Sequence, residues 1–169
     1  NQTSGAGNTK GVSVTTAVLS TTDQIKINGV QVGATLSDTA GAKADAINLI
    51  SSESGVTASA ETTVFLDLDF DVTATNTSFE INGEPILVAA LNGISDVAAA
   101  INAQGVGVQA TATTEGLLKL TDTGGGNISI DMSAVTGYVE NAYDSQFDAV
   151  GVAAAMEVFG TITLDSTDG

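Results

Sequence analysis

The stretch Ile25-Lys26-Ile27-Asn28-Gly29-Val30-Gln31-Val32 decides how this chain is read. Ile25 and Ile27 alternate with Lys26, Val30 and Val32 alternate with Gln31, and Asn28-Gly29 stands between the two runs. Alternation at a period of two marks a half-buried strand. Asn-Gly is the pair that tolerates positive φ at both central positions of a type I′ turn, whose twist matches that of paired strands. The stretch therefore predicts a β-hairpin. A second copy, Phe79-Glu80-Ile81-Asn82-Gly83, lies 54 residues further on, as from Ile27 to Ile81. There Pro85, which has no amide to donate to a ladder, predicts an edge strand or one that begins after it.

The same shift carries Ala46-Ile47-Asn48 onto Ala100-Ile101-Asn102. With gaps of one or two residues, Gly55-Val56-Thr57-Ala58 answers Gly107-Val108-Gln109-Ala110, and Val64-Phe65-Leu66 answers Leu117-Leu118-Lys119. Ordered similarity of this kind marks an internal repeat. Between the landmarks the period changes to that of a helix. Ala42, Ala46, Leu49 and Ile50 form one apolar stripe within residues 39–52. Ile94, Val97 and Ile101 form another, in a helix predicted over 96–104 with Ser95 as N-cap. Gly55 and Gly105 stand where helices end. The closing strands are predicted at 56–60 with 64–72, and at 106–113 with 117–121, the latter pair turning at Glu115-Gly116. Gly124-Gly125-Gly126 breaks the chain before a further strand through Ile128 and Ile130.

Outside the repeats, residues 12–18 and 160–164 have strand character, 133–159 reads as irregular, and the polar first ten residues read as linker. The expected fold class is α+β, mostly antiparallel β, with two ββαββ-like repeats each carrying one short helix. The expected organisation is linker and first strand over 1–24, a first repeat lobe over 25–73, a second over 74–131, and an irregular segment with a closing strand over 132–169.

Composition narrows the function classes. Four basic residues stand against twenty acidic ones, a formal net charge of -16. Such a field repels phosphate backbones and anionic lipid, which argues against nucleic-acid and membrane partners, and it favours solubility in the surrounding medium. His, Cys and Trp are all absent. That removes imidazole bases, thiol nucleophiles and the common zinc ligands. No apolar run approaches the roughly 20 residues that span a bilayer. With Asn1 as its first residue and no secretory segment behind it, the chain reads as part of a longer polypeptide.

The two Ile-Asn-Gly hairpins, each followed by an Ala-rich Ile-Asn helix and a Gly-Val strand, resemble the "IN" motif of bacterial flagellins and hook-associated proteins. Gly160-Thr161-Ile162-Thr163-Leu164-Asp165-Ser166-Thr167-Asp168-Gly169 is similar to a segment near the end of flagellin outer domains. The resemblance covers residues 25–131 and this tail. It implies a variable, surface-exposed outer region inserted between helical segments that build a filament core: structural, non-enzymatic, extracellular and part of the flagellum. Its partners would be other flagellin subunits, engaged through parts of the polypeptide beyond these residues. Alternatives are a filament-cap domain and an adhesin binding surface glycans.

Several residue groups invite sharper readings. Asp67, Asp69 and Asp71 suggest calcium, but Val72 and Ser78 occupy the Gly and Glu places of the EF-hand template, and strand alternation explains all three. Gly124-Gly125-Gly126 suggests an anion nest, yet a strand follows it and no P-loop lysine is present. Lys10, Lys26, Lys43 and Lys119 are the only cations available to a Ser-Lys hydrolase, and no two carboxylates stand out as a glycosidase pair. Tyr138, Tyr143 and Phe147 form an aromatic group that reads as packing before it reads as a sugar platform. No catalytic, cofactor-binding or metal site is therefore assigned from sequence.

Overall fold

The computed structural model describes residues 17–69, 78–87, 93–134, 139–143 and 155–166. The fold is mixed α+β with mostly antiparallel sheets and three short helices among these residues. In chain order the elements are β1 (Lys26–Ile27), β2 (Val30–Gln31), α1 (Ala40–Asn48), α2 (Ser51–Ser54), β3 (Val56–Leu68), β4 (Ser78–Ile81), β5 (Glu84–Leu87), α3 (Ile94–Gln104), β6 (Gln109–Ala112), β7 (Leu118–Asp122), β8 (Ile128–Asp131), β9 (Val139–Tyr143), β10 (Ala155–Val158) and β11 (Thr161–Ser166). Residues 1–61, 124–126 and 159–169 make one compact unit, and 62–123 with 127–158 make a second.

In the first unit β1 and β2 form a ribbon of two strands, Ile27 opposite Val30. The Thr39 hydroxyl caps α1 by accepting from the Ala42 amide (3.2 Å), one of the four amides a helix start leaves unpaired. The opening part of β3 pairs antiparallel with β11, Thr161 opposite Glu61 and Ser166 opposite Val56. α1 lies against β11. Val32, Ala40, Ala46, Ile47 and Ile162 are buried together, with Leu19, Ile27, Ile50, Ala58, Ala60 and Leu164 packed around them. Here the triple glycine is a site of close approach. The Gly41 amide donates to the Gly125 carbonyl (3.1 Å), and a Cβ on Gly41 would run into the Gly124 carbonyl. Only residues without side chains allow two backbones so near.

The second unit carries two sheets. One has the order β10-β8-β4-β5, all antiparallel, with Ile81 opposite both Glu84 and Ile130. The other is built on the remainder of β3, which pairs with β7 through Thr62 to Leu66 and with β9 through Phe65 to Leu68, while β7 also pairs β6. α3 packs on β6, β5 and β7. Nineteen buried apolar residues form one core, in which Val64, Leu66, Ile81, Ile86, Val97, Ile101, Leu118, Leu120, Ile128 and Ile130 have no accessible surface. Each such branched side chain contributes about 1.5–3 kcal/mol relative to exposure.

Several expectations are corrected. No turn separates residues 56–60 from 64–68: β3 runs unbroken from Val56 to Leu68, because Glu61-Thr62-Thr63 supplies β-branched residues and no turn former, while residues 70–72 of the expected strand lie outside the described residues. The first unit takes the partner strand for the opening part of β3 from β11. The helix expected over 39–52 is divided into α1 and α2 around Leu49-Ile50. Ser95 is not an N-cap. Extended Gly93 takes that place, its carbonyl accepting from Asp96 and Val97, and α3 begins at Ile94. Within the segment expected to be irregular, β9 and β10 are regular strands. Of the strand expected over 12–18, residues 12–16 lie outside the described residues, and Ala17 and Val18 are not in a strand.

Candidate functional site: the paired asparagine turns

The residues on which the sequence reading rests, Asn28-Gly29 and Asn82-Gly83, both occupy turns with positive φ throughout: Asn28 at 49° and Gly29 at 87°, Asn82 at 52° and Gly83 at 79°. These are the signs a type I′ hairpin requires. The asparagines also use their side chains. Asn28 Nδ2 donates to the Ser54 carbonyl (2.8 Å), and Asn82 Nδ2 donates to the Val106 carbonyl (2.9 Å). In each case the acceptor directly precedes a glycine, Gly55 or Gly107, at the exit of a helix: Ser54 is the last residue of α2, and Val106 follows the end of α3. A hairpin turn is thereby tied to a helix exit some 24 to 26 residues along the chain.

A second pair of asparagines repeats the device one element later. Asn48 Nδ2 donates to the Ala58 carbonyl (2.8 Å) while its Oδ1 accepts from the Ala58 amide (2.7 Å). Asn102 does the same with Ala110, at 2.8 Å in both directions. A side-chain amide that both donates to and accepts from one backbone residue mimics a neighbouring strand and fixes the helix against it. The sequence points to these residues through the shift from Asn48 to Asn102, although it does not reveal what they hold.

The two hairpins differ in what lies beyond the turn. The Asn82 amide donates to the Ser129 carbonyl (2.8 Å) and Asn82 Oδ1 accepts from the Ser129 amide (2.9 Å), so that turn is also fastened to the next strand, β8. Asn28 has no corresponding bond among the described residues.

The sharper sequence candidates are dispersed. Asp67 and Asp69 are partly exposed near the end of β3, and Asp71 lies outside the described residues, as do Lys10, Tyr138 and Phe147. Tyr143 is half-buried at the end of β9. Among the described residues no three acidic side chains are grouped closely enough to hold a metal ion. Lys26 is exposed, Lys119 half-buried, and Lys43 buried in α1 with Nζ donating to the Asp38 carbonyl (2.6 Å). Burial holds the Lys43 ammonium below its ordinary range, against the raising pull of the Asp38 carboxylate. Sequence reasoning gave no sign of this burial beyond the shift from Lys43 to Val97, which is fully buried in α3. Two carboxylates titrate below the usual range for local reasons: exposed Glu115 through the Thr114 hydroxyl, and half-buried Asp131 through Ser133.

No protein-family model and no curated protein matches this chain.

Proposed function

We propose that this chain is the surface-exposed outer region of a flagellar filament protein, extracellular, structural and non-catalytic, assembled from two variants of one ββαβ module. The observation that carries the proposal is the path of the chain through the first unit. Leu19, where the described chain enters, and Ile162 and Leu164, where it leaves, pack into a single apolar cluster, and the second unit is inserted between them. An element entered and left through one cluster can be placed in a host polypeptide without spreading its ends. The resemblance of the two Ile-Asn-Gly hairpins to the flagellin motif, the matched asparagine bonds and the net charge of -16 support the same reading.

The test is deletion of residues 19–164 from the polypeptide that carries them, with a short bridge, followed by electron microscopy of the assembled product. Filaments of normal length with a thinner outer layer are expected. Loss of filaments despite export of the shortened protein would overturn the proposal. A small ring assembled by the full-length polypeptide would replace it with a filament cap, and reproducible glycan binding by the chain on an array would replace it with an adhesin.

A further inference from the structure

The two turns present the same reactive dipeptide in different states of restraint. In an Asn-Gly pair the glycine nitrogen is unhindered, because no Cβ shields it from the preceding side chain. Attack of that nitrogen on the asparagine Cγ forms a five-membered succinimide, the Cγ–Nδ2 bond breaks, and ammonia leaves with the proton lost by the amide. Water then adds to one of the two ring carbonyls and opens the ring to an aspartyl or isoaspartyl linkage. The balance is one water consumed and one ammonia released, with no redox partner. The ring needs the side-chain amide free to turn toward the following nitrogen, so a folded turn reacts mainly when it opens locally.

Opening differs between the two sites. Both asparagines are exposed, but the Asn28 side chain is held by the single bond to the Ser54 carbonyl among the described residues. Its hairpin is a ribbon of two residues per strand, hydrogen-bonded to no further strand among the described residues, and such a ribbon is marginal in water. Asn82 is held by Nδ2 to Val106, by Oδ1 to the Ser129 amide and by its own amide to the Ser129 carbonyl, and β4 lies between β5 and β8. We propose that Asn28 is a site of spontaneous deamidation in the folded protein and that Asn82, the same dipeptide, is protected. The product at position 28 replaces a donor with a carboxylate that faces the Ser54 carbonyl. The link between turn and helix exit is then lost in one direction only, and the hairpin of the first unit carries a chemical record of age.

The experiment incubates the intact chain in mildly alkaline buffer and follows amide-to-acid conversion by peptide mass. Trypsin releases Ile27 to Lys43, whose only asparagine is Asn28; because Pro85 blocks cleavage after Glu84, a glutamate-specific protease releases Ile81 to Glu115, within which fragment ions separate conversion at Asn82 from that at Asn92 and Asn102. Conversion at Asn28 is expected to be about tenfold faster than at Asn82, the factor that one or two further hydrogen bonds are worth. In concentrated urea the two rates should converge. Equal rates in the folded chain, faster conversion at Asn82, or a rate difference that persists in urea would each overturn the proposal, the last by showing that local sequence and not the fold sets it.

Discussion

The hairpin of β1 and β2 and the hairpin of β4 and β5 have the same turn, the same asparagine donor and the same kind of acceptor, yet they are embedded differently. The first is a ribbon of two strands beside a cluster of five buried apolar residues. The second is an edge of a four-stranded sheet over a core of nineteen. Local sequence determines a turn, while what surrounds the turn determines how much its residues contribute. Ile27 is half-buried where Ile81 has no accessible surface, and Ile47 retains 8% exposure where Ile101 has none. The first unit is the more easily perturbed of the two, and substitutions at matched positions should measure the difference.

The largest contrast is expected in the helices. Ile101→Asp should cost about 3 to 5 kcal/mol, since it removes a well-packed side chain and leaves a carboxylate without water or partner. Ile47→Asp should cost less, because its cluster is smaller and water is near. Hydrogen exchange resolved by peptide would check both. Equal losses at the two positions would break the comparison.

Next in size is the backbone approach at Gly41. Gly41→Ala must displace the Gly124 carbonyl, and forcing a methyl into such a contact should destabilise the first unit by about 1 to 3 kcal/mol. Gly33→Ala serves as control, having nothing within 4 Å of the added carbon. Thermal melts of the two variants give the answer, and similar midpoints would show that the glycine stretch merely turns the chain.

The turn asparagines should come third. Replacing either by Ala puts a residue that tolerates positive φ less well than Asn into the turn, a cost common to both, so the difference between Asn82→Ala and Asn28→Ala isolates the side-chain bonds. Asn82 loses its bonds to Val106 and to the Ser129 amide, Asn28 the one to Ser54. The excess at Asn82 should be about 1 kcal/mol, the net worth of one such bond, read from urea unfolding. A larger loss at Asn28 would reverse the order of the two hairpins.

Much of this was legible in the sequence because it rests on local rules. The Asn-Gly turns, the left-handed glycines Gly55 and Gly105 and the strand through Ile128 and Ile130 follow from φ preferences and period-two alternation. Long-range partnership was not legible. Nothing in Val56 to Leu68 announces that its start pairs with Thr161 to Ser166 and its middle with Leu118 to Asp122, since both choices satisfy the same alternation. The role of Gly124-Gly125-Gly126 was hidden for the same reason. A glycine read locally is a breaker, and only the approach of Gly41 shows that the missing side chains matter. The asparagines fall between these cases: their repetition marked them, but their acceptors are backbone carbonyls, which every residue has.

The smallest expected effect concerns Lys43, buried in α1 at the place where α3 has Val97. Burial lowers its pKa in the folded protein from the ordinary 10.5, so over the interval between the folded value and 10.5 the unfolded chain binds more protons than the folded one. Stability contributed at this site therefore rises with pH through that interval, and at neutral pH the buried ammonium is a net cost, moderated by Asp38 and by the bond to the Asp38 carbonyl. Lys43→Met keeps the length of the side chain and removes the charge, bringing the first unit closer to the apolar pattern of the second. It should be neutral to stabilising by about 1 kcal/mol at neutral pH, where the penalty for the buried charge is greatest. The margin over the unsubstituted protein should shrink as pH climbs toward 10.5, because the native lysine then sheds its proton and the penalty with it. Comparing the two proteins at each pH cancels every contribution common to both. A Lys43→Met variant that is clearly less stable at neutral pH, with a deficit that does not change on the alkaline side, would show that the ammonium is satisfied where it lies. The lysine would then be a strut of the first unit and not the flaw that separates it from the second.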